Sequence, residues 1–463
     1  MSTPLGSIAP RTLAVAVTDH LVIYGAVLLS ARLRLGMGWS DLILAHVFIK
    51  AFLVACVCQL CLYYVDLYDL RNTVPRQEAA IRLVQGLGAT SFVLAVLYFW
   101  VPTLMIGRGV FVIASALVLI SLAIWRLLFD WVARLASPRE RLLLLGTSQG
   151  SVALARELFE RRNELGVDIV GFIDPDPLKV GTPVLNPGVI GTIEQIPDIV
   201  RTHDVNRVVV GLSDARGMLP MDQLLEMKFD GVQFDHLASI YEEYTGKIAV
   251  ENLRPSWFIF STGFKKSIYV HGIKRGIDAA IAAVALLVVS PLLLLIALAV
   301  KVSSRGPVFY HQQRVGAHGR VFTIHKYRSM QTDAEAATGA VWATKNDSRV
   351  TRIGRFLRRS RLDELPQIWN ILKGEMSLVG PRPERPEFVR DLTEQIPFYR
   401  ERHVLRPGLT GWAQVRYTYG ANVEDALEKL QYDLYYIKNI SLALDLFIIF
   451  ATAKAVILRR GGQ

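Results

Sequence analysis

Four stretches near the start of the chain, residues 13–31, 42–65, 79–101 and 109–128, are each close to the ~20 apolar residues that a helix needs to cross a bilayer. Hydrocarbon offers no partners to backbone N–H and C=O groups, so such stretches must be helices that satisfy themselves. The first is not a cleavable signal, since no A-x-A-like site follows it and Asp19-His20 interrupt it. An apolar fraction of 52% and a mean hydropathy of +0.32 fit a membrane protein better than a purely soluble one. Asp19, His46, Lys50 and Arg82 lie inside these spans, where snorkelling to helix ends or interhelix pairing is the simplest role. Cys56, Cys58 and Cys61 read as packing groups, because no His or carboxylate cluster completes a metal site and three cysteines give no disulfide framework. Arg71, Arg76 and Arg82 after the second span, and Arg134, Arg139 and Arg141 after the fourth, outnumber Arg32, Arg34 and Arg108 in the other loops. That bias places both ends of a four-helix bundle in the cytoplasm.

The positive charge is unevenly placed. The chain carries a net +11, yet residues 263–463 hold 30 Lys/Arg against 17 Asp/Glu, so all of the excess lies there. A basic C-terminal domain suits lipid headgroups, nucleotide phosphates or nucleic acid. Between bundle and basic domain, Arg141-Leu-Leu-Leu-Leu-Gly146-Thr-Ser-Gln-Gly150 reads as a buried strand, a glycine turn and a helix starting near Ser151. Further strands at 169–173 and 207–211 alternate with helical patterns, which predicts a Rossmann-like α/β domain over 136–250. Gly146 and Gly150 give only G-x-x-x-G, and Asp174 lies further on than a ribose-binding acid usually does, so a structural or regulatory role is preferred to cofactor binding.

A linker, 251–266, leads to one more apolar segment, expected as a helix over 273–302 and interrupted by Ser290-Pro291. Lys265, Lys266, Lys274 and Arg275 flank one end, and Lys301, Arg305 and Arg314 flank the other. Basic residues on both sides favour two ends on the cytoplasmic side, and the proline supplies a break, so a re-entrant helix is predicted rather than a fifth span. Residues 442–458 are apolar but hold Asp445 and Lys454 and end in Arg459-Arg460, as an interfacial helix would.

The most informative stretch is 353–384. Asp363 and Glu364 stand side by side after Arg352, Arg355, Arg358, Arg359 and Arg361, with Lys326-Tyr-Arg328 upstream and Pro381-Arg382-Pro-Glu384 downstream. Adjacent carboxylates among arginines suit a site where a phosphate is neutralised beside a nucleophile or metal ligand. The plainer alternative is that Asp363 is the N-cap of a helix entered through Glu364 and Pro366.

Lys326-Tyr-Arg-Ser-Met330, Leu362-Asp-Glu-Leu-Pro-Gln367, Asn370-Ile-Leu-Lys-Gly-Glu-Met-Ser-Leu-Val-Gly-Pro-Arg-Pro383 and Arg406-Pro-Gly-Leu-Thr-Gly-Trp412 together resemble the bacterial sugar transferases, the monotopic phosphoglycosyl transferases that start exopolysaccharide, capsule or O-antigen assembly. The resemblance covers about residues 267–463. The preceding spans and α/β domain are similar to the large, undecaprenyl-phosphate sugar phosphotransferase subgroup. Arg361 departs from the small polar residue of many members. The resemblance implies a membrane α-helical bundle (1–135), the α/β domain, and an α-rich monotopic catalytic domain (267–463) in a bacterial inner membrane, facing the cytoplasm. It implies that Asp363 attacks a UDP-sugar, releasing UMP, and that undecaprenyl phosphate then takes the sugar phosphate. Glu364 would be the Mg²⁺ ligand, and Lys326, Arg328, Arg358 and Arg382 would hold phosphate oxygens. Glu384 and Asp433 are further candidates behind them. Membrane lipids are implied partners, and a homodimer is compatible with the subgroup.

Competing classes fit less well. A transporter should show repeated spans with midplane charges, and a nucleotide-sugar dehydratase needs an intact glycine fingerprint and a Tyr-x-x-x-Lys pair. No nucleic-acid recognition module is visible, so no nucleic-acid partner is expected. The identity of the sugar, whether glucose, galactose or an N-acetylated one, is not written in these motifs.

Overall fold

The structure is a computed structural model, which describes residues 10–457 except 37, 39–45, 69–75, 137–139, 186, 212–219, 251–257, 259–260, 262, 265–267, 332–348 and 418–421. Most of the expected linker, with Lys265 and Lys266, and Arg71 and Arg139 lie outside the described residues. The chain divides into two compact units, parting between Ile240 and Tyr241.

The first unit opens with four long helices, α1 (Pro10–Leu35), α2 (Val47–Tyr64), α3 (Arg76–Trp100) and α4 (Arg108–Ala136), each long and apolar enough to cross a membrane. Their shared core includes Ile23, Ala31, Ala55, Leu62, Leu94 and Leu122. The polar groups inside have partners, two of them across helices. Asp19 on α1 binds Arg126 on α4 at 2.5 Å, and His20 Nδ1 meets Gln59 Oε1 on α2 at 2.8 Å. Lys50 donates to the Met105 carbonyl at 3.3 Å, and Arg82 pairs with Glu78 at 2.5 Å. These contacts follow the pairing reading of the intramembrane charges.

An α/β module completes the unit. Its five parallel strands, β1 (Glu140–Leu145), β2 (Val167–Ile173), β3 (Val189–Gly191), β4 (Arg207–Val210) and β5 (Gln233–His236), lie in the order β3-β2-β1-β4-β5. Leu142 to Leu145 are fully buried, as a central parallel strand covered on both faces requires. Helix α5 (Gln149–Glu160) begins one residue pair earlier than expected, because the Ser148 hydroxyl accepts the Ser151 N–H and serves as its N-cap. The Asp174 carboxylate accepts from Thr147, in the turn after β1, at 2.5 Å and pairs with Lys179, in its own loop, at 3.1 Å, so it is already engaged.

The longest helix of the second unit is α6 (Ile268–Ser303), 36 residues with Pro291 inside. Proline cannot donate to the carbonyl four residues back, and here the Ser290 hydroxyl takes that place by donating to the Leu287 carbonyl at 2.8 Å. The helical turns therefore continue through Ser290-Pro291. A two-stranded antiparallel hairpin follows, β6 (Phe309–Val315) and β7 (Val321–Tyr327). Helices α7 (Arg352–Arg359), α8 (Ile368–Lys373) and α9 (Pro386–Gln395), and the short parallel strands β8 (Ser377–Val379) and β9 (Gly408–Thr410), surround the charged centre. Helices α10 (Val423–Asn439) and α11 (Leu442–Ile457) close the unit, with Leu430, Leu434, Tyr436, Trp412 and Ile448 in its core.

Candidate active site

The acid pair sits on a 3-10 turn, Leu362–Gln367, and not at a helix N-cap. Arg361 enters the turn in the left-handed conformation (φ 54°), a strained geometry for an arginine. Asp363 caps nothing: among the described residues its carboxylate accepts no hydrogen bond and forms no ion pair. Both carboxyl residues are only 8% exposed, which makes that contrast expensive and therefore informative.

Glu364 is surrounded by cations. Lys326 Nζ lies 3.0 Å and Arg382 Nη2 2.7 Å from its Oε1, and Arg361 Nη1 lies 3.7 Å from Oε2. Burial alone would raise its pKa, yet Arg382, Lys326 and Arg361 hold it well below the usual carboxylate range. Asp363 goes the other way. Burial first, and then the negative Glu364 beside it, push it to about 6 against the pull of Lys326, Arg358 and Arg382. Two neighbours in sequence thus have different roles open to them: one is a fixed anion, the other a titratable, unengaged carboxyl.

Local structure explains how the cations arrive. Lys326 is carried by β7 at 38 residues' remove from Glu364. Helix α7 is capped by Thr351, whose hydroxyl accepts the Gly354 N–H at 2.9 Å, and carries in its last turn Arg358, whose Nε donates to the Ser329 hydroxyl at 2.9 Å. Gly354 packs so close to the Ser329 carbonyl that a Cβ there would collide with it, so glycine is what lets α7 approach. Arg382 sits between Pro381 and Pro383, which fix φ on both sides. Three successive carbonyls of this segment are then gripped: Arg402 Nη2 donates to Arg382 O (3.1 Å), Arg314 Nη1 to Pro383 O (3.0 Å) and Val315 N to Glu384 O (2.9 Å).

Arg328 stands differently. It is 5% exposed and its Nη2 donates to the Ser304 carbonyl and hydroxyl, both at 2.8 Å, tying β7 to the end of α6. Ser290 and Pro291 lie in the middle of α6, not at the carboxylates. Asp433 is buried behind the site and pairs with Arg402 at 2.8 Å. Arg402 and Arg314 are groups that sequence reasoning passed over, and in the sequence they look like any other arginine of a basic surface.

Could the centre hold a divalent cation? Among the described residues no three His, Cys, Asp or Glu side chains converge. Glu364 Oε1 is taken by Lys326 and Arg382, while Oε2 faces Arg361 at the longer 3.7 Å, with Asp363 next in the chain. This is the sparse carboxylate set that suits Mg²⁺ when phosphates and water supply the other ligands.

Comparison with known proteins follows the same division of the chain. The bacterial sugar transferase family matches residues 269–459, and a CoA-binding domain family matches residues 64–219. A UDP-N-acetylgalactosamine-undecaprenyl-phosphate N-acetylgalactosaminephosphotransferase of Aeromonas hydrophila is 43% identical over 228 residues, which is 49% of this chain and 53% of that protein. A UDP-glucose:undecaprenyl-phosphate glucose-1-phosphate transferase of Escherichia coli K12 is 34% identical over 68% of this chain and 67% of its own length. The exopolysaccharide production protein PSS of Rhizobium leguminosarum is 41% identical over 41% of this chain and 98% of its own length. The match spans about half the length of the Aeromonas relative.

Proposed function

This chain belongs to the bacterial sugar transferase family, and on that premise we propose that it transfers a sugar 1-phosphate from a UDP-sugar to undecaprenyl phosphate. The observation that carries the mechanism is the unengaged Asp363 carboxylate beside a cation-bound Glu364. With a pKa of about 6, Asp363 is largely ionised at neutral pH. Its oxygen attacks the β-phosphorus, the bond from that phosphorus to the bridging oxygen breaks, and UMP leaves with the electron pair. A phosphate oxygen of undecaprenyl phosphate then attacks the same phosphorus. The acyl–phosphate bond breaks, Asp363 is regenerated as carboxylate, and the product is undecaprenyl-diphosphate-sugar.

Lys326, Arg382 and Arg358 are placed to neutralise the phosphate oxygens while Asp363 attacks, with Arg382 presented by a segment already held on three carbonyls. Glu364 keeps Lys326 and Arg382 in place. Mg²⁺, when bound, would be held by Glu364 Oε2 and the substrate phosphates, and would neutralise diphosphate charge. The donor's sugar is settled by assay: purified protein, Mg²⁺ and undecaprenyl phosphate are given UDP-glucose, UDP-galactose and UDP-N-acetylhexosamines in turn. Up to one equivalent of UMP per enzyme without undecaprenyl phosphate, and sustained release only with it, supports the reading, and release unaffected by Asp363→Asn refutes it.

The re-entrant reading of α6 rests on its attachments. Near its start Arg275 donates to the Ile371 and Leu372 carbonyls (2.6 and 2.7 Å), Asp278 accepts from Ser377 (2.6 Å), and Ala282 packs on Ile371. From Leu293, whose carbonyl accepts from Tyr327 at 2.7 Å, it is attached again. Ala285 and Leu286 still pack on that cluster, so about six residues intervene, ~9 Å of helix, about a third of the ~30 Å hydrocarbon core. Val284, Leu287, Val288, Leu294 and Leu295 face outward, as lipid contact requires. The helix therefore dips into the membrane from the cytoplasmic face of the bacterial inner membrane. The β3-β2-β1-β4-β5 order supports a Rossmann-like reading of the α/β domain.

A further inference from the structure

A cavity of about 530 Å³ opens in the second unit, away from the acid pair. Its walls are the start of α6, the turn between β6 and β7, and the Arg406 loop, and it ends at Ile440, just before α11. None of Asp363, Glu364, Lys326, Arg358 or Arg382 lines it. From Val321, on its wall, to Lys326 is five residues of extended strand, roughly 16 Å.

The charges on its walls are unequally engaged. Lys274 is paired with Asp445 at 2.6 Å, and Arg275 is held by the carbonyls at the end of α8. Of its two carboxylates, Asp278 accepts from Ser377 and Glu375 accepts from Asn370 at 2.7 Å. Arg320 and Arg406 have no side-chain hydrogen bond or ion pair among the described residues, although both line the cavity. Two uncommitted guanidiniums in one concavity are suited to bidentate capture of a phosphate.

The position of the cavity selects the kind of phosphate. It lies where α6 and α11 begin, the two apolar helices of this unit. Beside it on α6, Tyr269 and Ile273 are 76% and 56% exposed, and Leu446 and Phe450 are exposed along α11. A molecule with its phosphate between Arg320 and Arg406 could lay acyl chains on those faces, whereas a free nucleotide would leave them bare. We propose that this cavity binds the phosphodiester headgroup of an anionic membrane lipid, and so fixes the depth at which the catalytic unit sits. The proposal rests on the membrane reading of α6 but not on the transferase chemistry.

The test uses the full-length protein in nanodiscs of phosphatidylcholine alone or with roughly one third phosphatidylglycerol, the anionic surface contributing about fivefold in affinity per basic residue. Lipid retained after exchange into detergent is identified by mass spectrometry, and binding of a short-chain phosphatidylglycerol is titrated. Wild type should retain phosphatidylglycerol preferentially, and R320Q/R406Q should bind it at least tenfold more weakly. The single variants should each fall between, which separates a lost site from a misfolded double variant; Arg390→Gln, on an exposed helix elsewhere, should change nothing. Equal lipid binding by wild type and R320Q/R406Q overturns the site. Displacement of the lipid by inorganic phosphate or UMP at comparable concentration overturns the lipid assignment in favour of a soluble phosphate. UMP release is followed in parallel in detergent, so loss of lipid binding with turnover intact separates this proposal from the catalytic one.

Discussion

Replacing Asp363 by Asn should abolish turnover and at the same time make the protein more stable at neutral pH. The folded-state pKa of about 6 stands above the usual 3.8, so folding favours the protonated carboxyl. Between those values the native state binds a proton that the unfolded state has lost, and stability falls as pH rises through that window. The gap of about 2 pH units corresponds to about 3 kcal/mol, fully lost above pH ~6, and relaxation around the buried group makes this an upper figure. Asn has nearly the same shape and carries no charge to desolvate. For a unit of some 220 residues, 3 kcal/mol corresponds to roughly 6–12 °C in Tm. The assay is thermal unfolding of wild type and D363N in the same detergent at pH 8 and at pH 4, scanned at one rate, alongside UMP release. D363N should unfold several degrees higher at pH 8, with the gap closing at pH 4. A variant that is less stable than wild type at pH 8, or a gap that ignores pH, would refute the argument that Asp363 is held as a strained, unpaired anion.

Further outcomes follow from the same geometry. Glu364→Gln leaves Lys326 and Arg382 without their shared anion, so both Mg²⁺ dependence and rate should fall by tenfold or more; activity indifferent to EDTA would remove the metal role. Arg402→Met strands Asp433 in the core and should cost about 3–5 kcal/mol, while the double change Arg402→Met/Asp433→Leu should recover stability but not full activity, because the Arg382 carbonyl stays unheld; full activity in the folded double variant would show that this grip is dispensable. Cysteines placed singly at Tyr269 and Arg305, in a chain without its native cysteines, should both react with an impermeant thiol reagent from the cytoplasmic side alone. Reaction from opposite sides would mean that α6 crosses.

The parts of this architecture that were legible in the sequence are those set by local pattern. Apolar length revealed the four helices, since a bilayer demands about 20 residues whatever the neighbours are. The Leu142–Leu145 run revealed the central buried strand, whereas the break expected at Ser290-Pro291 is a continuous helix, because the Ser290 hydroxyl donates to the Leu287 carbonyl. Motif order located Asp363, Glu364, Lys326 and Arg382 together. What could not be read was the difference between the two acids, because it is made by residues far away in the chain. Lys326 comes from a strand 38 positions upstream and Arg382 from a loop 18 positions downstream, and both converge on Glu364 and not on Asp363. Arg328 shows the converse, a basic residue of the same motif that is used to tie β7 to the end of α6. Arg402 and Arg314 were not singled out because their grip on the Arg382 segment is made on backbone carbonyls, which leave no signature of residue type, beside ion pairs with Asp433 and Glu384 that are distant in sequence.

On the proposed reading of Asp363 as nucleophile, this arrangement explains why the acid pair is adjacent. A nucleophile that must attack a diphosphate needs cations nearby, yet cations paired with the nucleophile itself would quench it. Glu364 resolves the conflict by taking Lys326 and Arg382 onto its own Oε1, within reach of the neighbouring carboxyl but not bonded to it. Burial, and after it the same negative charge, raises the pKa of Asp363 and so the basicity of the proposed nucleophile, while about 6 is still low enough for ionisation at neutral pH. Exchanging the two residues, Asp363→Glu with Glu364→Asp, conserves every charge but shortens the side chain that must reach the cations. The physical reading requires that this swap fail, even though composition, net charge and motif chemistry are all unchanged.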